Sequence, residues 1–143
     1  MPTVPARMTA IAIRQPGPPD VLVPQERDTP VPKQGEVLVK VVAAGVNRPD
    51  VMQREGKYPP PPGAPDIPGL ELAGEVVALG EGVQRWKVGD KVTALVPGGG
   101  YAEYAVAHEP TRCRSLRRSR WPRRARSPKP SLPSGTTYSS AAR

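Results

Sequence analysis

Apolar positions along the chain come in short runs, and each run stops at glycine or proline. "MTAIAIR" (8–14) and "EVLVKVVAAGV" (36–46) are rich in β-branched residues, "LELAGEVVALG" (70–80) and "DKVTALV" (90–96) follow, and "YAEYAVA" (101–107) alternates. Five short strands separated by turn residues predict a mostly β fold, a barrel or sandwich and not a doubly wound sheet. One short helix is predicted at "NRPDVMQREG" (47–56). Asn47 can cap it, Pro49 suits the first turn, Asp50 complements the positive end of the helix dipole, and Gly56 is a natural stop. "KYPPPPGAPDIPG" (57–69) is predicted to be a loop, because successive prolines remove ladder donors and fix φ. No internal repeat is present.

Two glycine clusters invite a phosphate-loop reading and fail it. In "GEGVQRWKVGDKV" the glycines at 80, 82 and 89 lead into another strand, whereas a dinucleotide fingerprint stands between a strand and a helix. A turn is expected there. "PGGG" (97–100) likewise precedes the strand starting at Tyr101, so a tight turn or local flexibility is expected and not anion binding.

After Glu109 the periodicity vanishes, and composition changes the picture. Residues 110–143 hold nine Arg and one Lys with no acid, so the net +8 of the 143-residue chain divides into +10 there and −2 over residues 1–109. The Arg, Ser and Pro of this segment offer little apolar surface to offset chain entropy, and a disordered basic tail is expected from 110 to 143. The single cysteine, Cys113, lies in it, which leaves no disulfide framework and no cysteine-built zinc site. Neighbouring arginines favour its thiolate, a reactivity read as incidental. No apolar run approaches the roughly 20 residues of a membrane span, and the start has no signal-peptide pattern, so a cytoplasmic protein without membrane contact is expected.

Three pieces carry a specific resemblance: "GVNRPDVMQREGKY", "PGLELAGEV" and "VGDKV". In this order and spacing, residues 8–109 resemble the N-terminal, GroES-like domain of the zinc-independent quinone oxidoreductases of the zeta-crystallin type, in the medium-chain dehydrogenase/reductase superfamily. The resemblance implies a partly open β-barrel with one or two short helices over residues 1–109. It also implies hydride transfer from NADPH to a quinone or enone, in a cleft shared with a following Rossmann domain, and usually a homodimer.

On the same resemblance, Asn47 and Tyr58 face the nicotinamide end of the cofactor, where amide and phenol can orient an oxygen or carboxamide by hydrogen bonds. Asn47 as a helix cap and Tyr58 as a packing residue are the alternatives. Asn47 and Asp50 are the candidate catalytic residues, Asp50 the weaker because a first-turn acid is commonly just a dipole partner. Glu71 is expected to hydrogen-bond locally. Zinc is not expected: zinc alcohol dehydrogenases, which resemble this domain, place a cysteine where this chain has Asn47 and a histidine in the middle of the motif read here as "GLE" (69–71). Asn47 and Leu70 supply neither thiolate nor imidazole. His108, the lone histidine, is expected on the surface or in the core.

Relatives continue beyond "YAEYAVAHEP" with an aliphatic segment into the Rossmann domain, and residues 111–143 do not resemble it. Read one nucleotide earlier, codons for Thr111–Leu116 permit "NALPVP", and those from Pro122 onward permit "AEAGAIAETFFTVW", both like the family's own continuation. The segment is therefore expected to be a frameshift product, the Rossmann domain absent and the chain a truncated, inactive oxidoreductase. Two other classes stay open. The arginines with Trp121 and Tyr138 could bind nucleic acid nonspecifically through phosphate neutralisation and stacking, and residues 1–109 could serve as a stand-alone GroES-like structural domain.

Overall fold

The computed structural model describes residues 3–109 and 113–115. Strands β1 (Arg7–Ile13) and β2 (Leu22–Asp28) flank a 3-10 turn at Pro19–Val21; β3 (Glu36–Ala44), helix α1 (Arg48–Arg54), β4 (Glu71–Leu79), β5 (Lys91–Leu95), β6 (Tyr104–His108) and β7 (Cys113–Ser115) follow. All ladders are antiparallel. One sheet has the order β6-β3-β4-β5-β7, and β1 pairs with β2 in a separate two-stranded ribbon. The ribbon is stitched to the larger sheet by an isolated bridge from Ala10 to Ala102 and by Ile11 N–H donating to Tyr101 O at 2.7 Å. Among the described residues no ladder joins β6 to β7, so the mostly β, GroES-like barrel expected from the chain is partly open, and they include one α-helix and one 3-10 turn.

Alternation places every second side chain of β3, β4 and β5 on the inner face. Val37, Val39, Leu72, Val76, Val92 and Ala94 belong to one core cluster, which also includes Trp86. Met8, Ala10, Leu38, Ile67, Val77 and Tyr104 form the second, between the ribbon and the sheet. The core is built from aliphatic residues with few large rings, as a chain lacking phenylalanine must build it.

Three features differ from expectation. Strand β2 was not predicted because Pro24 interrupts "LVPQERD" and its pattern is mostly polar; it pairs only with β1, and proline is tolerated on such an open edge. The strand expected at 101–107 begins at Tyr104, since Tyr101–Glu103 bond across to β1, to Val41 and to Pro68 instead of running in the ladder. Within the basic segment from 110 to 143 a short strand was not predicted: Cys113, Arg114 and Ser115 pair with Ala94, Thr93 and Val92 of β5. An open sheet edge offers unpaired N–H and C=O groups to any adjacent extended segment, whatever its side chains. The expectations for residues 116–143, nucleic-acid contact by Trp121 and Tyr138 included, lie outside the described residues.

The glycine turns at 80–89 are turns, with Gly80 N–H donating to Glu36 O at 2.7 Å and Gly89 N–H to Val76 O at 2.8 Å. "PGGG" is tightly placed: Gly99 N–H donates to Ile67 O and Gly100 N–H to Gly69 O, at 2.7 and 3.0 Å. His108 is exposed. No helix among the described residues is long and apolar enough to cross a membrane.

Candidate functional site

Four segments converge where β3 ends. Gly45 follows β3, Asn47 and Asp50 open α1, Gly69 leads into β4, and Tyr101 follows the glycine run. Asp50 joins them. The residue is only 5% exposed, and both of its carboxylate oxygens are engaged: Oδ2 accepts the Asn47 N–H at 2.8 Å and the Tyr101 hydroxyl at 2.9 Å, while Oδ1 accepts the Gly69 N–H at 3.2 Å. The first of these bonds is the acid leg of a capping box, which fits Asn47 as N-cap and Asp50 at the third helical position. No ion pair among the described residues includes Asp50, so its charge is solvated by neutral donors alone.

Asn47 is half-buried, and its Nδ2 donates to Glu71 Oε2 at 3.3 Å, across 24 positions of sequence. Gly45 makes room for that pair: a Cβ there would stand 2.6 Å from Glu71 Oε2. Glu71 itself is exposed at the start of β4. Tyr101 also reaches Gly45 O at 3.3 Å. Burial, and then the hydrogen bond and charge of Asp50, push the Tyr101 phenol well above its ordinary range, so it remains a neutral donor at any working pH.

The structure separates the expected site residues into two places. Asn47 and Asp50 stand in the convergence just described. Tyr58 follows α1, is partly exposed, and lines an open groove of about 1080 Å³ that neither Asn47 nor Asp50 lines. Met8, Arg27, Asp66, Ile67 and Tyr104 share that groove, whose rim carries the Arg27–Asp66 ion pair at 2.8 Å. Asn47, Asp50, Glu71 and Tyr101 form the connected set. Tyr101 was invisible as a member because it meets Asp50 across 51 positions of sequence; the glycine run before it, which permits close backbone approach, was the one available signal.

A zinc ion finds no fitting donors here. No group of three or more His, Cys, Asp or Glu able to hold a metal occurs among the described residues, and Asn47 and Leu70 stand at the positions noted above.

The family model described as the alcohol dehydrogenase GroES-like domain matches residues 33–117, reaching past Glu109 and through β7. The quinone oxidoreductase of Lama guanicoe is 44% identical over 106 residues, covering 73% of this chain and 32% of that protein. The solved quinone oxidoreductase of Coxiella burnetii superposes with a TM-score of 0.67 at 32% identity, covering 76% of this chain and 37% of that one. A thermostable alcohol dehydrogenase of Pyrobaculum aerophilum, solved with cobalt and zinc bound, gives a TM-score of 0.68 at 33% identity over 78% of this chain and 41% of its own. The chain thus spans about a third of the length of the curated relatives it matches. With the strand order, the glycine-lined convergence and the family match in agreement, the chain belongs to the alcohol dehydrogenase GroES-like domain family of the medium-chain dehydrogenase/reductase superfamily, with quinone oxidoreductases as its homologues.

Proposed function

We propose that these residues form the nicotinamide-facing half of a zinc-independent, NADPH-dependent quinone reductase of the cytoplasm. The 44% identity to a quinone oxidoreductase supports this reading, and the observation that carries it is the placement of Asn47, held by its backbone on a buried carboxylate while its amide stands half-exposed beside Glu71. NADPH would supply the hydride for reducing a quinone or enone, with a proton from solvent, and Asn47 and Tyr58 would hold its nicotinamide end. The chain's own part is geometric. Asn47 offers an amide that orients the carboxamide or the acceptor oxygen, and Tyr58, which lines the groove, offers a phenol and a ring face. Asp50 is 5% exposed and accepts three hydrogen bonds from within the fold, so its contribution is to placement.

Two thirds of each relative's length falls outside the matched segment, so the 143-residue polypeptide alone is expected to bind the nicotinamide end weakly and to show no turnover. Isotope-labelled protein titrated with reduced nicotinamide mononucleotide tests the site. The Asn47 side-chain amide and the Tyr58 ring signals should both shift, the nucleotide spanning from Asn47 to the groove that Tyr58 lines, and Asn47→Ala should weaken the shift at Tyr58. Unshifted Asn47 and Tyr58 signals at millimolar ligand would refute the assignment; NADPH-dependent quinone reduction by the 143 residues alone would refute the expected lack of turnover.

A further inference from the structure

We propose that Tyr101 is a positioning residue, acting through Asp50 to set where the Asn47 amide stands against Glu71; its functional meaning rests on the nicotinamide reading above. The chain of contacts starts from rigid backbone. Tyr101 N–H donates to Pro68 O at 3.0 Å, and Gly100 N–H donates to Gly69 O at 3.0 Å, so the backbone of Tyr101 is locked against the strand entering β4. Gly69 has φ +106°, and a Cβ there would come within 2.6 Å of Tyr101 N, which shows how closely the two backbones touch. From this fixed base a tyrosine side chain has two rotatable bonds and a rigid ring, so its hydroxyl is a defined point in space.

Asp50 hangs from that point. Its Oδ2 is shared between the Tyr101 hydroxyl and the Asn47 N–H, and its Oδ1 is held by Gly69 N–H. A buried carboxylate with three neutral donors and no cation cannot shift without exposing its charge to an apolar surrounding, so the three donors move as one unit. Asn47 N–H therefore sits where Tyr101 and Gly69 put Asp50, and the direction of the Asn47 side chain toward Glu71 follows from its backbone. Removing the hydroxyl leaves Oδ2 with a single donor, freeing Asp50 to turn and Asn47 with it.

A purely stabilising role for the pair would change the melting temperature and leave Asn47 where it is. Glu109 provides the comparison, being a carboxylate that likewise holds remote backbone, with Oε1 accepting the N–H groups of Gln84 and Arg85 at 3.1 and 2.6 Å. The test compares Tyr101→Phe, Glu109→Ala and the unaltered 143-residue chain by thermal melting and by the Asn47 backbone and side-chain amide signals, without ligand and with reduced nicotinamide mononucleotide. Tyr101→Phe should displace both Asn47 signals and weaken the nucleotide response at Asn47 about tenfold, the worth of one charge-assisted hydrogen bond. Glu109→Ala should lower the melting temperature with both Asn47 signals in place. Asn47 signals of Tyr101→Phe at their original positions would overturn the proposal. If Tyr101→Phe does not fold, Asp50→Asn, which keeps the shape and alters one oxygen, decides by the same signals; failure of both to fold would make the pair structural and overturn it too. A wild-type chain indifferent to the nucleotide defeats the functional reading alone, because the ligand-free displacement still decides the positioning.

Discussion

Replacing Gly69 by alanine isolates how much of this site depends on backbone touching backbone. Gly63 is the natural control, since both glycines have positive φ, +106° and +81°, but an alanine Cβ at Gly63 meets nothing within 4 Å. At Gly63 the left-handed conformation costs an alanine about 1–2 kcal/mol, offset by about 0.4–1 kcal/mol from the less flexible unfolded chain. A net loss near 1 kcal/mol or below is expected. At Gly69 the same terms apply, and the new methyl would also lie 2.6 Å from Tyr101 N, 2.7 Å from Gly100 Cα and 2.8 Å from Gly100 C. These are main-chain atoms that no rotamer change can move aside, so overlap of this kind adds about 1–3 kcal/mol. Relief by separation would break Gly100 N–H to Gly69 O and weaken Gly69 N–H to Asp50 Oδ1, another 1–3 kcal/mol or so. Gly69→Ala should therefore lose about 2–7 kcal/mol, a large share of the roughly 5–15 kcal/mol that holds a domain folded. Urea denaturation followed by circular dichroism measures both variants. Gly69→Ala within 1 kcal/mol of Gly63→Ala would refute the close-approach argument.

Alkaline pH offers an independent probe of the Tyr101–Asp50 contact. The folded state holds the Tyr101 proton beyond the usual phenol pKa of about 10, whereas the unfolded chain releases it there. Above that pH the unfolded state binds fewer protons than the folded one, so stability falls as pH rises from about 10 toward 12. Tyr101→Phe should flatten this decline relative to the unaltered chain when denaturation is repeated across that interval; parallel declines would contradict it. At the other end of the sheet, Glu109→Ala leaves two loop N–H groups without their acceptor and should cost about 2 kcal/mol by chemical denaturation. A loss below half of that would mean water substitutes for the carboxylate.

Much of the architecture was readable from the residues alone, because strand burial follows a two-residue period that apolar side chains record directly. The strands at β3, β4 and β5 and helix α1 fall where runs of valine, leucine and alanine or the Asn47-Pro49-Asp50 start predicted them, within the one or two residues by which strand and helix ends vary. β2 escaped because its edge position lets it carry a proline and polar side chains, so neither period nor propensity marks it. β7 escaped because a free sheet edge selects backbone and not side chains, and "CRS" has no strand signature of its own.

For the site, local sequence determined Asn47 as a helix cap and Asp50 as a first-turn acid, since both roles are played within four residues. The expectation that zinc is not bound came from the family resemblance, in which Asn47 and Leu70 stand where zinc relatives place thiolate and imidazole. Only the tertiary structure decided that Asp50 is buried under Tyr101 and Gly69, that Asn47 leans on Glu71 24 positions away, and that Tyr58 lines a separate groove. The physical reason is range. Caps and turns are set by neighbours along the chain, whereas the satisfaction of a buried carboxylate depends on which distant donors the strand register brings to it.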